Sequence, residues 1–126
     1  MKPSSSIVYV VDDDVSVREA LASLIGSVAL NVECFASPQE FLRRRNRDGP
    51  SCLVLDVRMP GLSGLDLQRE LQAQGRAIPI IFATAKDEAF RLLQSEAGAL
   101  AVLRKPFDPE ELPRLVKVAV EARRRR

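Results

Sequence analysis

Short runs rich in apolar residues recur along this chain, and each is followed by a segment of helical periodicity or a turn. The runs are Ile7 to Val11, Asn31 to Phe35, Cys52 to Leu55, Ile78 to Ala83 and Ala101 to Leu103. A strand wet on one face alternates apolar and polar residues. A run as uniform as Cys52 to Leu55 must be covered on both faces, as strands of parallel sheets are. After the first run, Val17, Leu21, Leu24, Ile25 and Val28 recur at helical spacing. Repeated strand–helix units predict an α/β fold: a doubly wound five-stranded parallel sheet with five helices distributed over both faces. The strand order 2-1-3-4-5 is one of two common solutions, and periodicity does not choose between them.

Local signals set the expected boundaries. The first helix runs from about Val15 to Val28, with Asp14 as its N-cap. Ser37, Pro38 and Glu40 read as a capping box opening a second helix that ends near Asp48 to Pro50. A third helix spans roughly Leu65 to Gln74, with Gly75 as its C′ stop. A fourth runs from about Asp87 to Ala97. The last begins around Asp108 and Pro109, its start delayed or bent by Pro113. Arg43 to Arg45 fall on a wet helix face. Residues 1–126 are expected to form a single domain, with a core over about residues 7–120 and a basic tail or linker start at 121–126.

Composition removes several function classes. With 46% apolar residues in 126, the chain can bury one core. No apolar stretch is long enough to span a membrane, and Met1 to Ser6 lacks the apolar region of a signal peptide, so the cytoplasm is the expected compartment. The net charge of +2 is carried by Arg123 to Arg126, and the remainder is net acidic. A uniformly basic nucleic-acid-binding face is therefore not expected. Cys34 and Cys52 lie within apolar runs and read as buried free thiols. The chain has no histidine, so any phosphohistidine in its chemistry belongs to a partner.

Polar residues stand at the downstream ends of four of the runs. Asp12 and Asp13 follow the first, Asp56 the third, Thr84 the fourth, and Lys105 comes just after the fifth. Ligands of open parallel sheets bind at the carboxyl ends of the strands. Acids at a helix start are ordinary caps, Thr is a good strand former, and a surface Lys is unremarkable. Together, at four strand ends, they form a pocket of carboxylates, a hydroxyl and an ammonium. Clustered carboxylates are costly without a cation, and Mg2+ takes one or two of them with water and phosphate oxygens. An Asp after an apolar strand can act as a nucleophile toward phosphorus, giving an aspartyl phosphate.

The segments Val10 to Asp14, Leu53 to Gly64, Thr84 to Ala85, Ala97 to Ala99 and Lys105 to Phe107 resemble the receiver domain of two-component response regulators. The resemblance covers about Ile7 to Val120, and the wording of Val17 to Leu21 and Arg58 to Pro60 is similar to the nitrogen-fixation (FixJ-like) subfamily. It implies the flavodoxin-like sheet in the order 2-1-3-4-5. It implies a sensor histidine kinase as partner and Asp56 as phosphoacceptor, with Thr84 and Lys105 contacting the phosphoryl group. Mg2+ would be held by Asp13, Asp56 and the backbone carbonyl of Arg58, and by Asp12 through water. The domain would be a signalling phosphoacceptor rather than an enzyme, acting on an output domain or protein target, with a phosphorylation-dependent dimer allowed.

Two departures define a second reading. The family often carries an aromatic residue three before the Lys, where this chain has Val102, and the interval from Thr84 to Lys105 is one residue shorter than usual. The second reading is a receiver-like protein-interaction module with impaired or non-standard switching. A third, an Mg2+-dependent phosphatase, would want an acid where Arg58 stands. Arg58 and Lys86 flank the pocket mouth, where they either tune the lifetime of the phosphorylated state or are simply solvated.

Overall fold

The computed structural model describes residues 7–28, 30–43, 51–57, 63–75, 78–85, 101–105 and 108–124. The elements are β1 (Ile7–Val11), α1 (Val15–Gly26), β2 (Asn31–Phe35), α2 (Pro38–Leu42), β3 (Ser51–Asp56), α3 (Gly64–Ala73), β4 (Ile80–Thr84), β5 (Ala101–Arg104) and α4 (Glu111–Arg124). The expected helix over 87–97 lies outside the described residues, as do Arg44, Arg45 and the expected end of α2.

All strand pairs are parallel, and the sheet order is β2-β1-β3-β4-β5. Successive residues of β1 point to opposite faces. Ile7, Tyr9 and Val11 join Phe35, Phe41, Leu67 and Leu71 on the α2–α3 side. Val8 and Val10 join Leu21, Ile25, Leu112 and Val116 on the α1–α4 side. Both faces are thus covered, which is why β1, β3 and β4 read as continuous apolar runs.

The helix starts follow local chemistry. Asp14 Oδ1 accepts from the backbone N–H groups of Ser16 at 2.8 Å and Val17 at 3.4 Å, capping α1 as expected. α1 stops at Gly26 rather than Val28, where Ser27 Oγ donates to the Leu24 carbonyl at 2.6 Å. Ser37 caps α2, but Glu40 Oε1 accepts from Ala36 N, one residue before the position a capping box would use. The full reciprocal box is at α3, between Ser63 and Asp66. Gly75, with φ +71°, follows α3 as its αL stop. α4 starts only at Glu111. Pro113, third in that helix, lacks an N–H that would have no intrahelical partner anyway.

One expectation about the cysteines fails. Cys52 is fully buried, and burial pushes its thiol pKa up to about 12. Cys34 is exposed, because β2 is an edge strand and only Phe35 of its residues is buried.

Tyr9, Phe35 and Phe41 form a ring cluster with centroids 5.3 to 6.1 Å apart. Phe41 is fully buried and fixes the short α2 to the sheet. Phe41→Ala is expected to cost about 3–5 kcal/mol, read from the urea midpoint at constant slope. A loss below about 1 kcal/mol would show that α2 is held by something else.

Candidate functional site

Register brings the polar strand ends into one row. Val11 is level with Leu55, so Asp12 is level with Asp56. Asp56 is level with Ala83, and Thr84 with Arg104, so Lys105 follows directly beside Thr84. Asp56 and Thr84 are the last residues of β3 and β4, one position further inside the sheet than their runs suggested. The order reverses between β1 and β3, the place where doubly wound sheets bind ligands.

Asp12 is buried and held on several sides. Its N–H donates to the Phe35 carbonyl at 3.2 Å, continuing the β1–β2 ladder. Its Oδ1 accepts from Asp14 N at 2.9 Å. Its carbonyl accepts from an Arg18 guanidinium N–H at 2.7 Å. Lys105 N donates to the Thr84 carbonyl at 2.9 Å, and that backbone bond aims the Lys105 side chain across the sheet edge. Lys105 Nζ then donates to Asp12 Oδ2 at 2.9 Å and to Asp56 Oδ1 at 3.2 Å. Thr84 is buried beside them, and Asp13 is exposed at the mouth.

Electrostatics follow from this crowding. Burial raises the Asp56 carboxyl above its ordinary range. Asp12, and to a lesser extent Asp13, add to the rise, while the Lys105 charge and hydrogen bond oppose it. Burial alone would lower the Lys105 ammonium. Its hydrogen bond to Asp12 and the Asp56 and Asp12 charges outweigh that, leaving it above its usual value.

One carboxylate oxygen from each of Asp12, Asp13 and Asp56 lies within 4.8 Å of the others. These hard oxygen donors, one of them open to solvent, fit a divalent cation of the Mg2+ type. The Arg58 carbonyl and Lys86 lie outside the described residues.

The structure adds two residues that the sequence did not single out by role. Gly64 N donates to the Val57 carbonyl at 3.0 Å, and a Cβ at Gly64 would stand 2.6 Å from the Asp56 carbonyl oxygen. Only glycine lets α3 approach the backbone of Asp56 this closely. Arg18 carries no sequence signal, since an Arg early in an amphipathic helix is ordinary.

A family model described as the response regulator receiver domain matches residues 8–117. The chain belongs to that family. The receiver is 44% identical over 122 residues to Response regulator protein TodT of Pseudomonas putida, covering 96% of this chain and 54% of TodT. It is 38% identical over 119 residues to Transcriptional regulatory protein FixJ of Azorhizobium caulinodans, covering 94% of this chain and 56% of FixJ. FixJ is thus one of several similar relatives rather than a unique match. The solved structure of response regulator StyR superposes with a TM-score of 0.84 at 40% identity, covering 94% of this chain and 60% of that one. The receiver spans about half the length of the curated relatives it matches. Among its described residues, no helix is long and apolar enough to cross a membrane.

Two outcomes follow for this site. Gly64→Ala is expected to lower stability by about 1–3 kcal/mol, because Asp56 and α3 must move apart; an unchanged urea midpoint would refute the contact. Asp56 binds its proton more tightly folded than unfolded. Its contribution to stability is therefore complete below the ordinary carboxylate pKa and lost as pH rises through its raised folded value. Asp56→Asn should accordingly raise the urea midpoint at pH 7, with the gain shrinking toward acid. A lower midpoint at pH 7 would count against the raised carboxyl.

Proposed function

We propose that this receiver accepts a phosphoryl group on Asp56 from a histidine of a sensor histidine kinase. The observation that carries the proposal is the Lys105 ammonium spanning Asp12 and Asp56 at 2.9 and 3.2 Å on the carboxyl edge of the sheet. An Asp56 carboxylate oxygen attacks phosphorus, a P–O bond forms, and the P–N bond to the partner's histidine breaks. Lys105 is placed to leave Asp56 and meet the negative oxygens of the incoming group as a point charge. The Thr84 hydroxyl donates to the same group. Asp13 and Asp56 would hold Mg2+ directly and Asp12 through water, with the Arg58 carbonyl, outside the described residues, as the further ligand that the resemblance implies. When bound, the ion offsets the charge that builds on the transferring oxygens.

The donor histidine lies outside residues 1–126, which contain none. Residues 1–126 act as one cytoplasmic signalling domain rather than as an enzyme, without direct nucleic-acid or membrane contact. Phosphorylation biases a two-state surface that an output domain or protein target reads, or through which two copies pair. A DNA-binding output domain fits the transcriptional regulatory role stated in FixJ's name.

One observation favours a second reading, an interaction module with impaired or non-standard switching. Val102, at the position where the family often has an aromatic, already packs against the α2–α3 core. It offers no ring to swing inward when Thr84 moves. Amide exchange that is unchanged between the free and phosphorylated forms would favour this reading.

The deciding experiment is intact-mass analysis after incubation with acetyl phosphate, with and without Mg2+, beside Asp56→Asn. A single phosphoryl adduct that requires both Mg2+ and Asp56 is expected. An adduct of equal yield on Asp56→Asn would overturn the assignment.

A further inference from the structure

Among the ties that hold the acidic turn, one comes from outside the proposed phosphorylation machinery. Arg18 lies on α1, one turn beyond the cap Asp14, and is half-buried. Its guanidinium donates to the Asp12 backbone carbonyl at 2.7 Å. That length belongs to charge-assisted bonds, which are stronger than neutral ones.

The other bonds of Asp12 hold different atoms. Its N–H is tied to Phe35, Oδ1 to Asp14 and Oδ2 to Lys105. The carbonyl oxygen of Asp12 belongs to the same planar peptide unit as the amide nitrogen of Asp13. Holding that oxygen therefore fixes the plane from which Asp13 departs. Asp13 is the exposed member of the three-carboxylate cluster, so burial does least to orient it. The Arg18 head group engages a carbonyl, so by this bond it does not compete for the carboxylates as Lys105 does.

We infer that Arg18 is a positioning residue: by clamping the Asp12 carbonyl it orients Asp13 and thereby sets the affinity of the acidic turn for a divalent cation. This rests on the proposed function. Without the clamp, the peptide plane between Asp12 and Asp13 can rotate, and cation binding must first order it. Asp56, Thr84 and Lys105 keep their own ties, so transfer at saturating cation is unaffected.

The test uses the full chain and three variants. Arg18→Met keeps the aliphatic stem and removes the donors, Arg18→Lys keeps a donor, and Arg18→Ala serves as a second deletion should the Met variant fold poorly. Mg2+ affinity is measured by titration calorimetry, and adduct formation with acetyl phosphate is followed against Mg2+ concentration. Amide exchange at Asp13 and Asp14 is measured in the metal-free protein. Loss of an outer-shell partner typically weakens metal binding 10- to 100-fold. Arg18→Met should thus bind Mg2+ about tenfold more weakly, exchange faster at Asp13, and reach the wild-type rate at saturating Mg2+. Arg18→Lys should recover most of the affinity. Unchanged Mg2+ affinity in the deletion variants overturns the inference, as does a lower saturated rate at unchanged affinity. If the wild-type chain neither binds Mg2+ nor forms the adduct, the proposed function itself fails, and that is read from the wild-type control alone.

Discussion

The contact from Lys105 Nζ to Asp12 and Asp56 organises the site. Two buried carboxylates facing each other across neighbouring strands would repel and favour protonation. A shared ammonium offsets much of that cost, yet the Asp56 carboxyl remains above its ordinary range. Among the described residues, the pocket also sets three carboxylates against one ammonium. It holds more anionic oxygen than one Lys neutralises, the condition under which a divalent cation binds well. Removing Asp56 alone leaves the Lys105 ammonium paired with Asp12, so no buried charge is stranded.

The arrangement depends on parallel register. Lys105 reaches Asp12 only because β5, β4, β3 and β1 bring their carboxyl ends to one level, and because the Thr84 carbonyl takes the Lys105 N–H. A slip of one residue in β3 would send Asp56 to the opposite face and its apolar neighbours with it. Two packed layers prevent that slip, with alternate residues of β1 committed to the α2–α3 core and the α1–α4 core. The apolar packing that stabilises the domain also positions its polar edge. Gly64 adds a second constraint from the α3 side, by letting that helix rest against the backbone of Asp56.

Much of this was legible in the residues. Uniform apolar runs required strands buried on both faces, and the alternation with helical segments gave a doubly wound sheet. Asp14 as a cap and Gly75 as a stop were readable because each acts within a few residues of itself. The misreadings came where distance in sequence and distance in space part company. Cys34 sits in an apolar run but on an edge strand, so its neighbours cannot cover it. Ser37 and Glu40 have the spacing of a capping box, but Glu40 reaches Ala36 instead, while the true box is at Ser63 and Asp66.

By itself the sequence determined the element types, the residue chemistry at the strand ends and the membership of the receiver family. These are set by short-range periodicity and by side-chain identity. The strand order 2-1-3-4-5 came from the family resemblance rather than from periodicity, and the sheet has it; only the tertiary structure decided the exposure of Cys34, the contact of Gly64 with Asp56 and the reach of Arg18 to the Asp12 carbonyl. Periodicity reports which faces of an element are apolar, not which element lies beside it. Neighbour choice is a global packing solution, and Lys105 and Asp12, 93 positions apart, meet only once it is made.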